Sequence, residues 1–267
     1  MSVQPKALIL EAPGINCNME TAFAFEQAGA LAEQVHITQL DSGERKLDNY
    51  QILALSGGFS HGDAVRSGAI LGAKLKNHFP EELNRFVGNG KAVIGICNGF
   101  QVLVECGLLP KGKITEEEER VKQVSLVHNE KNKFEDRWTY MRVEDSSSKF
   151  MNSDELGQVI ELPVAHGEGR MIAGGSVDYA DLMNNKQVPL RYSTPEGQPT
   201  EEYPLNPNGS PYGISALSDE SGIILGMMPH PERFIFDYQH LRWHRGEGQT
   251  QFGALIFKKI VNYTRSS

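Results

Sequence analysis

Long hydrophobic runs are missing from these 267 residues. None approaches the roughly 20 apolar residues needed to cross a bilayer, so no membrane partner is expected. Cysteine is scarce, with three in the whole chain. The wide spacing of Cys17, Cys97 and Cys106 argues against a disulfide framework and against a zinc ribbon. Basic side chains are outnumbered, 26 to 34, and the formal net charge is −8. An acidic surface disfavours nonspecific nucleic-acid binding, so no nucleic-acid partner is expected. There is no Gly-Lys-Ser/Thr phosphate loop and no Gly-x-Gly-x-x-Gly dinucleotide fingerprint. Any ATP used in a reaction is therefore expected to bind elsewhere. The N-terminal apolar run, Ala7 to Leu10, is too short for a signal peptide and reads as a first strand, so a cytoplasmic location is expected. Nothing rich in Gly, Ser or Pro divides the chain, and no repeat is visible. One domain over residues 1–267 is the expectation, with enough apolar content (39%) for a substantial core.

What is present is Gly95-Ile96-Cys97-Asn98-Gly99. An apolar run, Ala92 to Ile94, leads in, and a helical pattern from Phe100 to Leu109 leads out. This is the layout of a nucleophile elbow with cysteine in the place of serine. Such a strand-to-helix turn strains its central residue. Flanking glycines keep side chains out of the crowded space around it. The helix N-terminus that follows favours negative charge on the sulfur. The motif alone admits several unrelated cysteine hydrolases, so its partners have to be sought elsewhere.

In the first half, strand and helix patterns alternate. Strands are expected at Ala7–Leu10, Ala32–Ile37, Gln51–Leu55 and Lys91–Ile96. Helices are expected at Met19–Ala28, capped by Asn16 or Asn18, at Ala69–His78, and at Glu81–Val87 after Pro80. This alternation implies an α/β fold with a parallel sheet covered on both faces. Its site should lie beyond the strand C-termini, where Gly14-Ile15-Asn16, Gly57-Gly58 and Cys97 fall. The second half reads as antiparallel additions: strands at Val121–Val127, Trp138–Val143, Leu162–Ala165, Val188–Tyr192, Tyr212–Leu217 and Ile223–Met227. A closing helix is expected at Gln249–Arg265. The run Glu116 to Glu119 reads as a solvated face or loop.

A thiol that attacks an amide needs a base, a group to orient that base, and an oxyanion hole. Met228-Pro229-His230-Pro231-Glu232 follows an apolar strand and supplies two of these. Pro231 biases His230 toward an extended conformation, in which residues two apart share a face. His230 is the candidate base and Glu232 its orienting carboxylate. The oxyanion donors are expected to be the N–H of Asn98, immediately after the nucleophile, and a backbone N–H from Gly57-Gly58.

The elbow with its downstream His230-Pro231-Glu232 resembles the class I, or triad, glutamine amidotransferases. Five further stretches narrow the resemblance to the glutaminase of phosphoribosylformylglycinamidine synthases. They are Gly14 to Cys17, Gly57 to Asp63, Ala165 to Arg170, Asn206 to Ser210, and Met227 to Arg233. The resemblance implies a flavodoxin-like three-layer fold, with a mainly parallel central sheet and antiparallel additions. It implies that Cys97 attacks the side-chain amide of L-glutamine to form a γ-glutamyl thioester, with His230 donating a proton to the leaving ammonia. Gln101 corresponds to a substrate-binding glutamine, and Gly57 and Gly58 to the oxyanion loop. Ammonia would pass to a PurL-type synthetase subunit, which uses ATP and Mg, often bridged by a small PurS-type subunit. No cofactor is implied for this chain itself. The sequence departs from the family pattern at Ser56, where proline is common, at His61, where tyrosine is usual, and in extra residues around Lys113 to Arg120.

Three features fall outside the triad. His166 and Arg170, in Ala-His-Gly-Glu-Gly-Arg, are candidates for an interface or gating role, and a structural role for His166 is equally open. Cys17 has no base near it in sequence and is read as supporting the site; Cys106 is read as core. His240 and His244, with Glu247, have spacing that suits zinc, but exposed polar residues share it far more often, so no metal is expected.

Overall fold

The computed structural model describes residues 4–115, 122–175, 177–248 and 250–266. The first half runs β1 (Lys6–Glu11), α1 (Asn18–Gln27), β2 (Leu31–His36), α2 (Ile37–Asp41), β3 (Ile52–Leu55), α3 (Ala69–His78), α4 (Pro80–Gly88), β4 (Ala92–Ile96) and α5 (Asn98–Cys106). The second half runs β5 (Val124–Val127), β6 (Glu135–Val143), α6 (Ser153–Leu156), β7 (Val159–His166), β8 (Arg170–Ala173), α7 (Tyr179–Asn184), β9 (Leu190–Tyr192), β10 (Ile214–Ser218), β11 (Ile224–Met227) and α8 (Phe252–Ser266).

Nine strands form one sheet in the order β2-β1-β3-β4-β11-β10-β9-β6-β7. The pairs from β2 to β11 are parallel, and those from β11 to β7 antiparallel. The parallel part has the flavodoxin-like order, 2-1-3-4-5 when β11 counts as fifth. β3, β4 and β11 are buried at every position. Their unbroken apolar runs match strands covered on both faces. Helix α1 packs with α8, and α3 with α5, giving the two outer layers. The Phe25 and Phe257 rings, from α1 and α8, meet edge to face at 4.8 Å.

The antiparallel half curls back over the strand C-termini. The far-edge strand β7 thereby reaches the centre: the Pro163 carbonyl accepts the His230 N–H at 2.8 Å, and the Ala165 carbonyl lies 3.5 Å from Cys97 Sγ. β5 and β8 form a separate two-stranded ribbon.

The structure corrects some details of the expected layout. Neither Asn16 nor Asn18 caps α1: Cys17 holds that position without a side-chain hydrogen bond. Asn18 instead reaches Glu11 at 2.5 Å and Gln34 at 2.7 Å. Pro80 is the first residue of α4 rather than a break before it, because proline fits the first turn of a helix. The acidic run Glu116 to Glu119 and Val121 lie outside the described residues, as does Gln249. Replacing Phe257 by Ala should lower unfolding stability by roughly 3–5 kcal/mol, the cost of deleting a fully buried aromatic ring. A denaturant titration checks this; an unchanged midpoint would mean that α8 does not close the core.

Candidate active site

Cys97 follows β4 directly and precedes the first turn of α5, with φ 52° and ψ −106°. That positive φ is the strained conformation expected of an elbow. Its N–H donates to the Met227 carbonyl at 2.7 Å, and its own carbonyl receives the N–H groups of Phe100 and Gln101. The strain is therefore held between the neighbouring strand and the new helix. Gly99 makes the turn sterically possible: a Cβ there would lie 1.8 Å from the Leu55 carbonyl oxygen.

His230 and Glu232 follow β11, the strand beside β4. His230 Nδ1 and Glu232 Oε1 are 2.5 Å apart, and both side chains are buried. They meet through a 3-10 turn over Pro231–Arg233, not through an extended chain. The proline at its first position, which lacks a donor, starts that turn. Burial opposes charge on His230, but Glu232 and the nearby Cys97 and Cys17 sulfurs outweigh it and hold its pKa well above the ordinary value. Nε2 is buried and makes no hydrogen bond of ordinary geometry.

The glycine loop lies beside the His230 ring. Gly57 carries no side chain where a Cβ would sit 2.8 Å from His230 Cε1 and 3.3 Å from Cys17 Sγ. Its carbonyl receives the N–H groups of Asn16 and Cys17, and Gly58 bridges Ile15. The loops after β1 and β3 and the elbow after β4 thus lie along one edge, as the strand-end glycines imply. Gly58, Cys97, Gln101, Glu168 and Phe134 line a pocket over the elbow.

Polar side chains brace that pocket. Asn98 is fully buried; its Nδ2 donates to Asp63 and Gln101 at 3.1 Å each, and its Oδ1 accepts the Ser60 N–H. Gln101 Nε2 donates to the Glu168 carbonyl. A Glu168 carboxylate oxygen accepts the Ser67 N–H at 3.1 Å. Burial, reinforced by the charge of Glu168, raises the Asp63 carboxyl above its usual range against hydrogen bonds from Ser67 and Asn98.

His166 lines the pocket, but burial, and then the charge of His230, push it down to about 3, so it is neutral. Its Nδ1 pairs with Asn129 Oδ1 at 3.1 Å. Arg170 lies outside that pocket lining and donates to the Gly209 carbonyl at 3.0 Å. The Asn206 to Ser210 stretch braces the Gly169 turn through Asn208, whose Nδ2 reaches the Gly169 carbonyl at 2.8 Å. Sequence reasoning missed Asn129, which holds His166 and Gly169 together, because a lone loop asparagine carries no signal. Glu168 and Asp63 were visible inside motifs without a role.

The fold brings Cys17, which has no base near it in sequence, beside His230. Its sulfur lies with ligating atoms of His230 and Glu232 in a group within 4.8 Å of one another. Cys106 is fully buried core, and burial raises its thiol to about 12. His240 pairs with Glu161 at 3.0 Å, and Glu247 with Arg242 at 2.5 Å.

The description "CobB/CobQ-like glutamine amidotransferase domain" belongs to a family profile that matches residues 4–264. The phosphoribosylformylglycinamidine synthase subunit PurQ of Methanococcus maripaludis is 39% identical over 277 aligned positions, covering 98% of each chain. The chain belongs to the PurQ family of glutamine amidotransferases. The PurQ of Treponema denticola is 40% identical, over 98% of this chain and 99% of that one. Among solved structures, a chain of PurLQS from Thermotoga maritima superposes with a TM-score of 0.72 at 31% identity, covering 98% of this chain and 99% of that one. This PurQ-family chain therefore carries an amidotransferase fold with thiol, imidazole and carboxylate gathered at its sheet edge.

Charge on His230 makes the site pH-sensitive. Its raised pKa means that the protonated imidazole stabilises the fold. That contribution is complete below the unfolded value of about 6.5 and is lost as pH rises through the folded value. Glu232→Gln should lower the His230 pKa and flatten this fall. Imidazole NMR titration with chemical unfolding across pH checks both; an unmoved titration in the variant would refute the pairing.

Proposed function

We propose that this chain is the glutaminase of a phosphoribosylformylglycinamidine synthase. It hydrolyses L-glutamine to glutamate and ammonia and hands the ammonia to a separate PurL-type synthetase. That partner makes the amidine from formylglycinamide ribonucleotide with ATP and Mg, and a small PurS-type subunit bridges the two. One observation carries the reading: the Cys97 thiol on its strained turn, interacting with His230 of the buried His230–Glu232 pair. The PurQ relatives and the PurLQS neighbour supply the biosynthetic context.

The chemistry follows from this geometry. Cys97 Sγ attacks the glutamine side-chain carbonyl, and the Asn98 and Gly58 N–H groups stabilise the oxyanion. His230, whose charged form the site favours, gives its proton to the departing ammonia. It then activates the water that cleaves the thioester, while Glu232 fixes the ring and its charge. Gln101 forms the substrate wall, and the acidic Asp63 and Glu168 suit the α-ammonium of glutamine. In this reading His166 and Arg170 are supports rather than reactants: Asn129 holds His166 at Nδ1, and Arg170 donates to the Gly209 carbonyl. The chain needs no cofactor of its own for these steps. It works as one unit in the cytoplasm; among the described residues no helix is long and apolar enough to cross a membrane.

Reconstitution with the synthetase tests this. Cys97→Ala should reduce glutamine-dependent amidine formation by roughly 10⁴-fold or more, on the scale of losing a nucleophile. Ammonia-dependent formation should remain at the wild-type level. Loss of both, or persistence of glutamine use, would contradict the assignment.

A further inference from the structure

We propose that Cys17, His230 and Glu232 form a site for a single soft divalent cation such as zinc, and that the bound ion disables the base. The three side chains offer a thiol, an imidazole and a carboxylate, with ligating atoms all within 4.8 Å of one another. That donor set suits zinc, and three protein ligands leave a fourth position for water. All three residues are buried. Glu232 Oε2 is buried without a hydrogen-bond partner, so part of its acceptor capacity is unused. Space exists because Gly57 has no Cβ between the His230 ring and the Cys17 sulfur.

The resting site already holds positive charge against the same donors. Arg233 Nη2 lies 3.3 Å from Cys17 Sγ, and its Nε lies 3.8 Å from Glu232 Oε1. The Arg233 side chain is 36% exposed, which leaves it room to turn toward solvent when an ion enters. A cation between His230 and Glu232 would replace the proton on Nδ1, the nitrogen that faces the carboxylate. The Nδ1 proton and the Cys17 thiol proton pass to solvent, so affinity rises with pH. The ring then keeps its remaining proton on Nε2, where it is held too tightly to pass to the departing ammonia and leaves no lone pair to accept one from water. Inhibition of this kind rests on the proposed role of His230; binding of the ion does not.

The experiment uses the full chain with Cys97→Ser, so that the nucleophile contributes no sulfur. Cobalt(II) should bind one per chain with a thiolate-to-metal charge-transfer band, and zinc should displace it. Adding Cys17→Ser should abolish the band and weaken zinc binding by more than about 100-fold, beyond the loss of a merely supporting residue. In the wild-type chain, zinc should suppress glutaminase turnover and a chelator should restore it. Absence of one-to-one binding would overturn the proposal. So would a thiolate band that survives Cys17→Ser, or zinc binding that needs Cys97 and not Cys17. Intact binding in a chain without glutaminase turnover would support the site and count against the catalytic reading instead.

Discussion

β4 and β11 lie side by side, parallel and in register, with Gly95 opposite Gly226 and Ile96 opposite Met227. Two segments far apart in sequence therefore leave the sheet at the same level and from the same edge. One turns sharply into α5 and presents Cys97; the other enters a proline-started 3-10 turn and presents His230 and Glu232. The Cys97 N–H to Met227 carbonyl bond ties the two exits together. A residue in such a sparsely populated backbone region costs about 1–3 kcal/mol, which has to be offset by its surroundings. Here the offset comes from fully buried strands on either side and from a helix drawn close by Gly99.

Electrostatics then separates two buried histidines, one of which feels the charge of the other. His230 is buried beside a carboxylate and two sulfurs, and its charged form is favoured. His166 is equally buried but has only the amide of Asn129 at Nδ1, and the positive charge of His230 adds to the effect of burial. One ring is thus suited to move protons and the other to stay neutral as part of the wall. The difference lies in the carboxylate and sulfurs beside one ring and their absence beside the other, as in other sites where paired environments push pKa values apart.

Much of this was legible in the residues. Unbroken apolar runs such as Ala7 to Leu10 and Ala92 to Ile94, too short for helices and followed by glycines, read as strands covered on both sides, and those glycines mark the functional edge. The elbow and the His-Pro-Glu run were legible because proline and glycine constrain the backbone locally. The short elements α2, α6 and α7 were not, since a helix of four to six residues carries too few periods to stand out. β8 hides in Arg170 to Ala173 because its strand character depends on pairing with β5. The surroundings of Cys17 were invisible for another reason. Arg233, its partner, lies 216 residues away, and only the completed sheet brings them together.

The central claim is that the sulfur of Cys97 carries the substrate's acyl group during turnover. Acid-quenching the chain with isotopically labelled L-glutamine, followed by peptide mass spectrometry, tests it most directly. The account requires a γ-glutamyl thioester on the peptide that holds Cys97, absent when His230 or Cys97 is replaced. A γ-glutamyl adduct on Cys17 instead, or turnover with no adduct at any cysteine, would contradict it.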